Sequence, residues 1–320
     1  MTMRATLSFA IAASFAVATA AVPTAAQNQF GRIVVFGASL SDSGNAFALR
    51  GGTNTPPDYL LDPLLVPSAP YARGGHHFSN GATWVEQFAR STGLAGSVRP
   101  AFAGSDVNAS NYAVGGARAY EDGINVNLTA QVQAFLQQFG GHAAADSLYT
   151  VEMGGNDIRD ALAAFARGAN GALILQEAVA SIAGNIQTLH AAGARTFLVW
   201  RAPNVALTPA IGILDNISPG AALAASHLTD AFNAALDGVV QQLAALPGIR
   251  IVRLDAQRLL NDLVARPDAF GLTNVTNACV TTVRPFTCDR PDEFLFWDGI
   301  HPTKTAHGII AQEAASALAR

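Results

Sequence analysis

Four short runs of β-branched and aromatic residues, each bounded by turn formers, constrain this chain more than anything else in it. They are Arg32–Phe36, Leu148–Met153, Thr196–Trp200 and Ile249–Leu254. Near-continuous apolar runs of this length suit strands buried on both faces of a parallel sheet. A fifth, weaker run lies near Val107–Ala113. Helix-length segments fall between them. Ala82–Ser91 follows Ser79-Asn80, which can cap it. Leu173–Ala191 has an apolar stripe and stops at Gly193, and Ala221–Ala245 is rich in alanine and leucine and ends at Pro247. Strands alternating with helices predict a doubly wound, flavodoxin-like fold, a three-layer α/β/α arrangement on a parallel sheet of about five strands. No internal repeat or low-complexity linker divides residues 27–320, which are expected to form one domain.

The first 26 residues read as a leader outside that domain. Arg4 gives a positive start, residues 5–21 are apolar and Ala-rich, and Thr24-Ala25-Ala26 supplies small residues for cleavage, the pattern of a secretory signal peptide. An uncleaved anchor fits less well, because the apolar core is short and soon meets Pro23. The mature chain is therefore expected to be secreted or periplasmic, without integral membrane association. Without the leader it keeps 18 basic and 23 acidic residues, a formal charge of −5. There is no basic run to neutralise phosphates, so nucleic-acid binding is not expected. Lys304 is the only lysine, which argues against Schiff-base chemistry.

Cys279 and Cys288 are the only cysteines, nine positions apart. In an exported protein such a pair is expected to form a disulfide. Closing that loop is worth roughly 2–3 kcal/mol in the chain-entropy model. The loop lies just upstream of Asp298-Gly-Ile-His301, where it can brace that segment. Long loop residues 51–77 contain five prolines; Tyr59-Leu60-Leu61 and Leu64-Leu65-Val66 are candidates to wall a cleft.

The spacing of Asp298 and His301 allows the carboxylate to orient the imidazole within one turn, as a general base needs. A weak serine nucleophile needs such a base. Residues 32–45, RIVVFGASLSDSGN, supply one: Ser39, in a Gly-x-Ser turn at the end of the first strand. Gly115-Gly116 follows the weak strand and Asn156 follows Met153. All three thus fall at carboxyl ends of strands, where doubly wound folds bind ligands. His76-His77 invites a metal reading, but adjacent loop histidines are more often incidental, and no metal or cofactor is expected. His307 is expected to pack or hydrogen-bond at the start of the last helix.

FGASLSDSGN (36–45), FSNGATWVEQ (78–87), NYAVGGA (111–117), GGND (154–157) and DGIHPT (298–303) resemble, in order, the blocks of the GDSL or SGNH hydrolases. The resemblance implies Ser39 as nucleophile with its N–H at a helix N-terminus, His301 as general base and Asp298 as its orienting partner. It further implies an oxyanion hole built from the Ser39 N–H, the Gly116 N–H and the Asn156 amide, with Gly115 as an alternative donor. Most of the family carries Gly-Asp-Ser-Leu in the first block; here Ala38 replaces the aspartate. That carboxylate is outside the triad, so the reaction is expected to survive. With it missing, no second acidic group is expected to mark the pH profile above about pH 5. Asp42, also in the block, is not assumed to replace it.

These features imply an esterase or lipase that cleaves acyl esters through an acyl-Ser39 intermediate, on a small-molecule or lipid ester substrate. A lysophospholipase, an acyltransferase and a carbohydrate deacetylase could use the same site. A binding module that keeps the fold without catalysis is the reading from another class. The oligomeric state is not specified.

Overall fold

The computed structural model describes residues 29–52, 63–71, 76–104, 106–282, 284 and 286–320. The expected leader and Tyr59-Leu60-Leu61 lie outside them. Elements run in the order β1 (Arg32–Gly37), α1 (Asn45–Leu49), α2 (Trp84–Ser91), α3 (Leu128–Gln138), β2 (Ser147–Glu152), α4 (Gly155–Ala166) and α5 (Gly171–Ala191). Then follow β3 (Thr196–Arg201), α6 (Pro209–Ile217), α7 (Ala221–Leu243), β4 (Arg250–Asp255), α8 (Ala256–Ala265), β5 (Asn274–Ala278), β6 (Phe294–Phe296) and α9 (Lys304–Ala319).

β1 to β4 form a parallel sheet in chain order, with Ile33 opposite Leu148 and Leu148 opposite Thr196. Alternation along each strand sorts side chains to two faces. Val34, Phe36, Tyr149, Val151, Phe197 and Val199 pack in one core with residues of α3, α4, α5 and α7. Ile33, Val35, Leu148, Leu198, Trp200 and Leu254 pack in the other with α2, α8 and α9. The result is the expected three-layer α/β/α fold. Each fully buried aromatic or aliphatic side chain in these cores is worth about 1.5–3 kcal/mol of transfer free energy.

The fifth strand is reduced to a rudiment. Only Asn111 forms a bridge to β1, opposite Val35, although backbone bonds from Val35 N to Ser110 O, Tyr112 N to Val35 O and Val114 N to Gly37 O track the strand. This edge segment precedes β2 in the chain but lies on the far side of β1. The order therefore reverses at β1, the switch point where such sheets open a crevice at the strands' carboxyl ends.

A second small sheet, β5 parallel to β6, stands apart from the first. Cys279 and Cys288 are joined by a disulfide beside it. Among the described residues no helix is long and apolar enough to cross a membrane.

The cap of α2 differs from expectation. Thr83, not Ser79-Asn80, precedes the helix, and its N–H and hydroxyl both donate to Glu86 Oε2 at 2.9 Å. Ser79 and Asn80 serve the opposite end of the chain. Ser79 Oγ donates to Pro302 O at 2.8 Å and Asn80 Oδ1 accepts from Lys304 N at 2.7 Å, at the first turn of α9.

Candidate active site

Ser39 lies two residues beyond β1, in a turn closed by Ser41 N donating to Ala38 O at 3.2 Å. The expected helix N-terminus at Ser39 is absent, since α1 begins only at Asn45. Side chains define the turn instead. Gln131 of α3 terminates β1, its Oε1 accepting from Gly37 N and its Nε2 donating to Gly37 O, both at 2.9 Å. Asp42, fully buried, accepts from Gly44 N at 2.7 Å, Asn45 N at 2.6 Å and Ala46 N at 3.0 Å. Its Oδ2 also takes Gly115 N at 2.8 Å, tying the Ser39 loop to the glycine turn. Burial still pushes the Asp42 carboxyl above its ordinary range, against those four donors.

That bond separates the two glycines. The Gly115 N–H is engaged by Asp42, whereas Gly116 has φ +88° and its carbonyl accepts from Arg118 Nη1. A Cβ at Gly115 would stand 2.0 Å from the Phe78 ring, and Phe78 in turn packs against the His301 ring with centroids 5.3 Å apart. Close approach, not conformation, demands glycine at 115, while φ demands it at 116.

Asp298 and His301 arrive from the far end of the chain. Asp298 is wholly buried and His301 is 3% exposed. The carboxylate closes its own turn: Oδ1 accepts from Ile300 N at 2.9 Å and from His301 N at 2.8 Å. His301 Nδ1 lies 2.9 Å from Oδ1 and 2.8 Å from Oδ2, and Nε2 lies 2.8 Å from Ser39 Oγ. Tyr71 donates its hydroxyl to Asp298 Oδ2 at 3.0 Å. The segment before Asp298 is braced by the disulfide loop, with Cys279 N donating to Phe296 O at 3.0 Å and Val280 N to Trp297 O at 2.9 Å. Residues 64–65 press from the other side. Gly299 N donates to Leu65 O at 2.8 Å, and a Cβ there would meet Leu64 O at 2.0 Å.

Ser39, Asn156 and His301 share the wall of a cavity of about 450 Å³, whose other surfaces include Leu64, Val66, Leu162, Val205, Ile211 and Leu214. Gly116 stands in the neighbouring turn and does not line it. Asn156 occupies the first turn of α4, which starts after Gly154 at φ +113°. Its Nδ2 donates to Ala117 O at 2.9 Å and its Oδ1 accepts from Arg159 Nη1 at 3.2 Å. One amide hydrogen is thus fixed, and the second has no partner among the described residues. Asp157, next in the chain, is pushed up to about 6, chiefly by burial, while accepting from Ala119 N and Tyr120 N.

Of the other histidines singled out in the sequence, His76 stacks on Phe47 and His77 pairs with Glu86 at 2.7 Å, so the adjacent rings serve different elements. His307 accepts from Trp84 N at 3.2 Å at the start of α9, and burial pushes it down to about 3. Among the described residues no cluster of three His, Cys, Asp or Glu side chains could hold a metal ion. Tyr71, Asp42 and Phe78 were given no part by the sequence. Asp42 at least stood inside a matching block, whereas Tyr71 bonds across 227 positions without any motif to mark it.

A hydroxyl bonded to an imidazole whose other nitrogen meets a buried carboxylate can give up its proton while it attacks an electrophile. The walls around it suit an apolar group. The comparisons with known proteins agree with that chemistry. A GDSL esterase/lipase of Arabidopsis thaliana is 27% identical over 87% of this chain and 89% of its own length. The phosphatidylcholine-sterol acyltransferase of Aeromonas hydrophila is 27% identical over 90% of each chain. The thermolabile hemolysin of Vibrio parahaemolyticus is 24% identical over 89% of this chain and 63% of its own. The profile of GDSL-like Lipase/Acylhydrolase matches residues 33–314. With that match across nearly the whole described chain, the protein belongs to the GDSL-like lipase/acylhydrolase family.

Proposed function

We propose that this chain is an exported serine carboxylic-ester hydrolase that acts on acyl esters through an acyl-Ser39 intermediate. Ser39 Oγ attacks the ester carbonyl as His301 Nε2 takes its proton, and Asp298 stabilises the imidazolium through Nδ1. The carbonyl oxygen becomes an oxyanion, which the Ser39 N–H, the Gly116 N–H and the second amide hydrogen of Asn156 receive. Each such donor is typically worth about 3 kcal/mol to the transition state. The intermediate collapses as His301 returns its proton to the departing alcohol, and water then repeats the sequence on the acyl-enzyme. Gly116 rather than Gly115 is the donor in this reading, because Asp42 already engages the Gly115 N–H.

The observation that carries the proposal is the 2.8 Å contact of His301 Nε2 with Ser39 Oγ in the wall of a largely apolar cavity. That lining favours an acyl chain over a sugar acetate. Acyl transfer to an alcohol other than water draws on the same intermediate, and the similarity to an acyltransferase supports it as a second outcome. The disulfide supports export. A p-nitrophenyl ester series from C2 to C16 tests the reading: turnover should be greater with chains longer than acetyl, and preference for acetyl esters, acetylated xylan included, would replace it with a deacetylase.

A further inference from the structure

The mechanism above leaves one buried acid in the cavity wall without a task. Glu152 closes β2 directly opposite Gly37, the last residue of β1, and is 5% exposed. Its Oε2 accepts from Ala38 N and from Ser41 Oγ, both at 3.1 Å. Ser41 Oγ in turn accepts from Trp84 Nε1 at 2.9 Å. A single carboxyl oxygen therefore joins the residue before Ser39 to the residue two beyond it.

The expectation drawn from Ala38, one acidic group fewer near Ser39 and none to mark the pH profile above about pH 5, takes no account of Glu152. The carboxyl that the family resemblance would put at position 38 is absent, but another reaches the same backbone from β2. Among the described residues no ion pair includes Glu152. Its donors among the described residues are the Ala38 N–H and the Ser41 hydroxyl, which itself accepts from the Trp84 indole of α2, and the like-charged Asp157 faces it from α4. Arg159, Asp160 and His301 line the same cavity. Burial, the largest influence, pushes Glu152 up to about 8, over the opposing pull of its two donors.

Resting on the ester-hydrolase reading, we propose that Glu152 is a positioning residue that clamps the Ser39 turn as a neutral acid, and whose ionisation turns the centre down at alkaline pH. As a neutral acid it accepts both donors at Oε2 and keeps its proton on Oε1, so no charge faces the forming oxyanion. When hydroxide removes that proton, a negative charge stands in the cavity wall beside Ser39 and disfavours a second one on the carbonyl oxygen.

The test compares wild type with Glu152→Gln and Glu152→Ala in the full chain. Glutamine keeps an acceptor for Ala38 N and Ser41 Oγ but cannot ionise. Blank-corrected kcat/KM for a p-nitrophenyl ester should fall in the wild type by up to about tenfold per pH unit above pH 8. E152Q should lack that fall and keep most of its rate at pH 7, while E152A should lose about tenfold or more throughout. An alkaline fall in E152Q parallel to the wild type would overturn the proposal.

Melting temperature gives a readout independent of catalysis. Below about pH 4.5 Glu152 is protonated in both folded and unfolded chains. Between about 4.5 and 8 only the folded chain holds the proton, so the wild type should lose stability relative to E152Q across that window and level off above it. A Tm difference that stays constant from pH 5 to 9 would sink the neutral acid. A chain that melts as expected but cleaves no ester would refute the hydrolase reading instead.

Discussion

Ser39 and His301 meet at 2.8 Å, yet they are held by different kinds of structure. The Ser39 turn is rooted in the main sheet. Gln131, Asp42 and Glu152 bind its backbone from α3, from the turn itself and from β2, and its supports lie in the core. Asp298 and His301 stand outside that sheet. They hang between β6 and α9, held by the disulfide loop, residues 64–71 and the Phe78–Asn80 segment. One half of the site is thus fixed by the global fold and the other by peripheral clamps. The two halves should therefore fail under different treatments.

Ser39→Ala is the largest expected effect. It should abolish ester turnover with little change in Tm, because the hydroxyl lies in a cavity wall and its turn is defined by other residues. Asn156→Ala should lower kcat by about 10²–10³ with little effect on KM, since it removes a bond made in the transition state. A pure KM effect would remove Asn156 from the oxyanion hole. Both changes fall on the sheet-rooted half and should leave stability nearly intact.

Breaking the clamps should do the reverse. Replacing both cysteines by serine should cost roughly 2–3 kcal/mol of stability and reduce kcat by several fold, because Cys279 N and Val280 N support residues 296–297. A double variant with wild-type melting and wild-type rate would show that the peripheral half needs no covalent brace. Tyr71→Phe is the smallest expected effect. Loss of one hydrogen bond to a carboxylate, worth about 1.5–3 kcal/mol at most, should lower kcat a few fold and leave KM unchanged.

The same division explains what the sequence made legible. β1 to β4 were read within a residue or two: β1, β2 and β3 are buried on both faces and largely apolar, and the half-exposed edge strand β4 still keeps Ile251, Val252 and Leu254 among its arginines. The fifth strand was overestimated: Asn108, Ser110 and Asn111 break its apolar run, and Asn111 spends its amide on Ser41 O and Ser43 Oγ. β5 and β6 were missed, since Asn-Val-Thr-Asn-Ala is half-exposed and polar and Phe-Leu-Phe is only three residues long. Ser39, Asn156, Asp298 and His301 stood in short blocks, where local spacing carries the chemistry. Glu152 and Tyr71 did not, because their partners lie 111 and 227 positions away. Ser79-Asn80 was assigned to the wrong helix for the same reason: its true partner, α9, is 224 positions distant.

The proposed hydrolysis stands or falls on Ser39 as the nucleophile. Incubating the folded protein with a fluorophosphonate and sequencing the modified peptide by mass spectrometry tests it most directly. A single adduct on Ser39, absent from Ser39→Ala and slowed in His301→Ala, is the predicted result. Folded wild-type protein that takes no label, or takes it on another residue, would contradict the account.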